Sequence, residues 1–231
     1  MHYERIEPAV FLERTNRFAA VVETARGREL CHVKNTGRCR ELLLPGAEIY
    51  VQRNDRAGRK TKLDLITVRK DGHLVNVDSQ VPNDVAAEWV LKSGFVSPEA
   101  VVKREKTYGN SRFDLYMEDG KRRIFMEVKG VTLEEEGVAR FPDAPTERGI
   151  KHLNELIKAR ADGYEAAILF VIQMDYVKYM EPNYRTHAAF GEALEQAAAS
   201  GVQVMAIDCM IEADSICPGK IINVNLLKMH K

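Results

Sequence analysis

Residues 111–130 read SRFDLYMEDGKRRIFMEVKG. Two runs of alternating apolar residues flank Asp119-Gly120, a turn signal, so the stretch predicts a β-hairpin. With Asp119 and Gly120 as a two-residue turn, Glu118 stands opposite Lys121, Leu115 opposite Ile124 and Phe113 opposite Met126. The period of two along a strand puts Phe113, Leu115, Met117, Ile124, Met126 and Val128 on one face. Arg112, Asp114, Tyr116, Phe125, Glu127 and Lys129 fall on the other. Asp114 and Glu127 are then diagonal neighbours, about 7–8 Å apart at the backbone, with Lys129 one step further along. A four-residue turn keeps this parity; a three-residue turn destroys it.

Charged residues inside a half-buried strand need a reason. Two neighbouring carboxylates resist joint ionisation, and a divalent cation removes the conflict. Mg²⁺ in particular takes one or two carboxylates together with substrate phosphate oxygens. A lysine beside such a cation can orient the attacking water or stabilise the transition state. The chemistry this set suits is metal-assisted phosphodiester hydrolysis. The plain alternative is a solvated hairpin face with an exposed ion pair, which contributes little stability; the three residues alone favour that alternative.

Outward from the hairpin, the chain has 231 residues with 34 basic and 34 acidic side chains, so its formal net charge is zero. That composition is globular, and any nucleic-acid contact has to use a local basic patch. No apolar run is long enough for a transmembrane helix. The opening MHYERIEPAVFLERTNRF lacks the apolar core of a signal peptide, and Cys31, Cys39, Cys209 and Cys217 lack zinc-knuckle spacing. Both features read as a cytoplasmic protein with reduced thiols.

Residues 1–80 read as short strands, at 18–35, 47–54, 63–70 and 73–80, the pattern of a small barrel or sandwich. After residue 80 the pattern changes. DVAAEWVLKSG (84–94) reads as a helix capped by Asp84 and ended by Gly94, followed by a strand at 99–109 and then the hairpin. A helix is expected from Thr146 to Ala161, a doubly buried strand at 166–174, a helix at 185–201 and a last strand at 202–209. Helix, three strands, helix, strand, helix, strand predicts an α/β domain with a mixed sheet over 81–231.

Asp114, twelve intervening residues and then Glu127-Val128-Lys129 resemble the PD-(D/E)XK nuclease signature, in which the acid and the E-x-K lie on adjacent strands between helices. KNTGRCRELLLPGA (34–47), YGNSRFDL (108–115), EVKGVTL (127–133) and FPDAPTERGIKHLNEL (141–156) resemble the sugar fermentation stimulation protein A (SfsA) family across both halves of the chain. The resemblance implies an N-terminal OB-fold-like β-barrel (1–80) that binds nucleic acid and a PD-(D/E)XK nuclease-like domain (81–231). It also implies DNA as partner, and a link to the regulation of sugar, notably maltose, metabolism. Carried onto this chain, it implies Mg²⁺ or Mn²⁺ held by Asp114 and Glu127, with Lys129 as the catalytic lysine. Glu105, on the strand before the hairpin, is a further candidate acid, and Glu88 a weaker one. Phe113 stands where the superfamily name has a proline.

FPDAPTERGIKHLNEL reads as a proline-stiffened loop feeding a helix capped by Thr146, with Ile150, Leu153, Leu156 and Ile157 as its buried stripe. Arg148 and Lys151 are expected to hold phosphates, and His152 reads as a surface residue. In the barrel, Asn35, Thr36, Gly37 and Arg38 form a turn expected to contact nucleic acid, with Arg40 beyond. Arg53, Arg56, Arg59, Lys60 and Lys62 read as a solvated basic loop. Few aromatic residues, among them Phe11, Phe18 and Tyr50, offer stacking platforms. The expected activity is metal-dependent cleavage of nucleic acid; the rival is a DNA-binding regulator of sugar metabolism without catalysis. A small-ligand module has no P-loop or dinucleotide fingerprint behind it.

Overall fold

The structure is a computed structural model that describes residues 1–35, 37–56 and 58–226. The first half holds β1 (Ile6–Asn16), β2 (Ala19–Thr24), β3 (Gly27–Val33), β4 (Glu48–Arg53), β5 (Leu63–Lys70) and β6 (His73–Asn76). They pair in the order β3-β2-β1-β4-β5-β6, and an extra pairing between β3 and β5 closes the first five into an OB-like barrel. Closure removes the open sheet edges. Strict alternation drives it: β2 buries Ala20 and Val22, β4 buries Ile49 and Val51, and these meet Phe11 and Leu65 inside.

The second half runs α1 (Pro82–Lys92), β7 (Val101–Tyr108), β8 (Ser111–Asp119), β9 (Arg122–Val131), β10 (Leu133–Glu135), β11 (Val138–Phe141), α2 (Glu147–Ala161), β12 (Glu165–Ile172), β13 (Tyr179–Pro182), α3 (Tyr184–Ala199), β14 (Gln203–Glu212) and β15 (Ser215–Ile222). Its main sheet has the order β15-β14-β12-β9-β8-β7. β12 lies parallel to both β9 and β14, and the outer pairs are antiparallel, so the sheet is mixed. The apolar run in β12 is buried on both faces, as its lack of alternation requires. Val85, Trp89 and Val90 of α1 cover one face; Leu153 and Leu156 of α2 and Leu194 of α3 cover the other. Each fully buried leucine contributes about 1.5–3 kcal/mol. β10, β11 and β13 form a separate three-stranded sheet that the sequence pattern did not signal.

The chain's first residues return to the second half. The Tyr3 amide donates to Asp214 O at 2.7 Å, and the Tyr3 ring is buried in the cluster beneath α1. A buried polar seam joins the halves: the Gln173 amide donates to Asn76 O, Asn76 Oδ1 and Asp78 O, each at 3.0 Å. No helix among the described residues is long and apolar enough to cross a membrane.

The hairpin register departs from the expected one by two residues. Asp119 pairs with Arg122, Met117 with Ile124 and Leu115 with Met126, so the turn is Gly120-Lys121 rather than Asp119-Gly120. Gly120 takes the left-handed conformation, with φ 59°. A shift of two preserves which face each residue occupies but moves Asp114 from a diagonal position to one level with Glu127. The helices start close to expectation: Thr146 caps α2, its Oγ1 accepting from the Gly149 amide at 3.0 Å. α1, however, begins at Pro82 with Asp84 inside the first turn, not at the cap.

Candidate active site

The ladder between β8 and β9 stops at Leu115–Met126, one step short of the acids. There Asp114 Oδ2 accepts the Val128 amide at 2.8 Å, so a side chain replaces the next backbone rung. Asp114 Oδ1 accepts from the Asn83 amide at 2.9 Å, at the start of α1. On the other side of Asp114, β7 pairs Arg104 with Leu115 and Lys106 with Phe113, skipping Glu105, whose φ is 56°. There is a second departure. Phe113, expected beside Leu115, lies in the other layer, where its ring meets Phe125 at 5.4 Å and His152 edge-on at 6.3 Å.

Glu127 is 2% exposed. Its Oε1 accepts from Lys129 Nζ at 2.5 Å and from His152 Nδ1. Arg148 Nε donates in turn to His152 Nε2 at 3.4 Å. A guanidinium only donates, so Nε2 accepts, and the proton sits on Nδ1, facing Glu127. Glu127 Oε2 is buried without a partner, and it is the one carboxylate oxygen in that condition among the described residues.

The two carboxyls are pushed in opposite directions. Burial, and then the neighbouring Glu127 carboxylate, raise Asp114 above the usual carboxylate range against the Val128 and Asn83 hydrogen bonds. For Glu127, burial also acts upward, but the His152 hydrogen bond and the Lys129 charge outweigh it and hold the group below that range. Glu127 is thus set up as a carboxylate, while Asp114 gains from any added positive charge.

The other expected site residues divide. Glu105 is not brought in: its carboxylate is exposed and pairs with Arg112 at 3.4 Å. Glu88 pairs with Lys92 at 2.7 Å on the outside of α1. Lys151 ties α2 to the turn between β7 and β8, donating to Asn110 O at 2.8 Å, while Arg148 lies against the site through His152. Asn35 is built into its own loop, its Oδ1 accepting from the Gly37 amide at 2.7 Å. Arg38 is exposed, and Thr36 lies outside the described residues. The basic loop is not wholly solvated: Arg53 is buried between Glu7 and Glu29, and Arg59 donates to Asp64 at 2.5 Å.

Two participants were missed by sequence reasoning. Asn83 lay in what read as a boundary segment. His152 read as a surface residue because it lay outside the expected α2 stripe of Ile150, Leu153, Leu156 and Ile157; the buried face runs through Gly149, His152, Leu153, Glu155, Leu156 and Ala159. His152 and Glu155 sit at polar positions on the stripe one turn apart, and that was the available signal.

An OB-like barrel fused to a mixed-sheet α/β domain, with two acids and a lysine meeting where a central hairpin splays, defines the class of protein. Family models match both halves: the SfsA N-terminal OB domain over residues 12–77 and the sugar fermentation stimulation protein RE domain over residues 80–215. The chain belongs to the SfsA family. It is 56% identical over 228 residues to a sugar fermentation stimulation protein homolog of Desulfitobacterium hafniense strain Y51, spanning 99% of this chain and 100% of that one. The homolog of Clostridium beijerinckii is 51% identical, spanning 94% and 96%. The structure of Pyrococcus furiosus SfsA in complex with Ca²⁺ is 31% identical, covers 97% of this chain and 98% of that one, and superposes with a TM-score of 0.85.

Proposed function

We propose that the chain is a divalent-metal-dependent nuclease, with the barrel (1–80) holding nucleic acid, DNA in the first instance, and residues 81–231 cutting it. One observation carries the reading: the buried, unpartnered Oε2 of Glu127 beside the Asp114 carboxylate. An orphaned buried carboxylate oxygen is costly unless something pairs with it. The donors present fit a hard cation such as Mg²⁺ or Mn²⁺, which prefers oxygen ligands and leaves positions for phosphate and water. Among the described residues no group of three His, Cys, Asp or Glu side chains could hold a metal. Asp114 and Glu127 would therefore hold it as a pair, with substrate oxygens completing the shell. That the related P. furiosus protein was obtained with Ca²⁺ supports the preference for a hard cation.

A cation bound there would neutralise phosphate charge and make a water more acidic. The rest falls to the protein. Asn83 and the Val128 amide fix the orientation of Asp114. His152, oriented by Arg148, fixes Glu127. The Lys129 ammonium sits where charge builds up on the phosphate oxygens, and Arg148 supplies a second cation at the rim.

Asp114→Ala tests the assignment. With Mn²⁺, and single- and double-stranded DNA and RNA as substrates, the variant is expected to lose at least about 10²-fold in cleavage rate, the scale of one lost electrostatic group. DNA binding should persist. Cleavage at the wild-type rate defeats the assignment. The absence of metal-dependent products on every substrate with the wild type favours a regulator that binds without cutting.

A further inference from the structure

A cleft of about 860 Å³ lies between the barrel and the loop leading into α2. Arg14, Arg17, Arg38 and Arg40 line its barrel side, and residues 141–146 line the other. Arg14 is wholly occupied, donating to the carbonyls of Asn16, Arg17, Asn35, Gly37 and Arg38, so it shapes the loop rather than binding anything. Arg38 and Arg40 differ: among the described residues neither guanidinium has a hydrogen-bond or ion-pair partner. The loop that carries them is seated against the second domain. Arg38 N donates to Asp143 Oδ2 at 3.3 Å, and a Cβ on Gly37 would come within 2.6 Å of that oxygen. Arg17, in the cleft wall, lies over the ring of Phe18 at 5.8 Å, and Phe18 is 51% exposed, unusual for phenylalanine.

A second, smaller pocket of about 190 Å³ shares the wall residues Gly37, Phe141 and Asp143 with it and has Gly130, the residue after Lys129, in its lining.

The geometry points to a binding site for one unpaired nucleic-acid strand. Arg38 and Arg40 take its phosphates, and Phe18, next to Arg17 of the cleft wall, stacks a base. The assignment rests on the nuclease reading for the chemistry of its ligand. The size is that of a small-ligand site, about 300–1,000 Å³, which admits a few nucleotides and no double helix. Planar guanidinium forks suit phosphate. A basic groove joined to an aromatic platform is how barrels of this type hold single strands, because only an unpaired base can turn its face to a ring. The phosphate contacts hold the strand without reading its base sequence.

Binding measured in chelator tests this apart from cleavage. The probe is a fluorescein-labelled oligonucleotide of about 12 residues, within the roughly 4–16 that such a barrel covers, as single-stranded DNA, single-stranded RNA and duplex DNA. Fluorescence anisotropy should show both single strands binding more tightly than the duplex. In R38Q/R40Q, single-strand affinity should fall at least about tenfold, and the slope of log K against log salt should flatten by about 1.4, two contacts at about 0.7 each. Phe18→Ala should weaken single strands by about fivefold or more and leave the duplex unchanged. Circular dichroism confirms that the variants are folded. Equal affinity in R38Q/R40Q and wild type, a duplex bound as tightly as a single strand, or no binding by the wild type each overturns the site. Loss of metal-dependent cleavage alone would count against the nuclease reading and leave this result standing.

Discussion

Two buried charge clusters in this molecule are built alike and finished differently. In the barrel, the Arg53 guanidinium lies between Glu7 and Glu29, its Nε and both terminal nitrogens donate to them, and Thr24 adds a bond to Glu29 at 2.8 Å. The hydrogen bond from Arg53 lowers the Glu29 carboxyl to about 2. In the α/β domain, Lys129 and His152 both serve one oxygen of Glu127 and leave the other with nothing. Satisfied charge in a protein interior is architecture, whereas an unsatisfied carboxylate oxygen beside a second acid is held at a cost that folding alone does not explain.

Removing the centre of the barrel cluster should have the largest effect on stability. Arg53→Met is expected to cost about 2 kcal/mol in urea unfolding, less than the roughly 3–5 of a fully buried pair because Glu7 and Glu29 keep part of their surface in water, 27% and 24%. Metal-dependent cleavage by the folded variant should not change; if it falls in step with the Asp114→Ala loss, the two clusters are not independent.

A subtler contrast lies inside the site, read as melting temperature against pH in chelator. Glu127 is held low, so its ionised form adds stability above the unfolded carboxylate pKa, and that stability is lost as pH falls through the folded value. Glu127→Gln should therefore melt below wild type at neutral pH, with the gap closing in acid. Asp114 is held high, so its ionisation opposes folding above its folded pKa, and the penalty vanishes below the unfolded one. Asp114→Asn should accordingly melt above wild type at neutral pH, with that gain also disappearing in acid. Shifts of the same sign for both variants would break the account of the pair. The smallest effect belongs to Glu105→Gln: exposed and paired only with Arg112, it should stay within about 0.5 kcal/mol in stability and leave cleavage unchanged.

The hairpin shows how far the linear pattern reaches. Alternation around residues 111–130 sufficed to place Asp114, Glu127 and Lys129 together, because a two-residue slip in register preserves which face a side chain occupies. It could not show that the ladder ends beside the acids, nor that Phe113 crosses to the other layer. Nor did any local signal announce the positive φ of Glu105. Its place on the neighbouring strand made Glu105 a candidate, whereas its carboxylate is exposed and paired with Arg112. In the barrel, the NTGR turn was legible as a loop. In the structure Asn35 is spent on the loop, its Oδ1 accepting from the Gly37 amide and its carbonyl from Arg14, 21 residues away, and among the described residues the Arg38 and Arg40 guanidiniums have no partner.

Hydrophobic periodicity, caps and turn residues act over a few positions, and by themselves they determined the helices and most of the strands, the barrel-then-α/β order and the three residues at the hairpin's end, but not β1, β10, β11, β13 or β15. Tertiary structure alone decided which polar atoms found partners. Asn83 came to Asp114 from across 31 residues and His152 to Glu127 from across 25, while Glu127 Oε2 was left bare. Pairing of buried polar groups is a property of three-dimensional packing, since the desolvation that makes it matter exists only once the chain has closed around them.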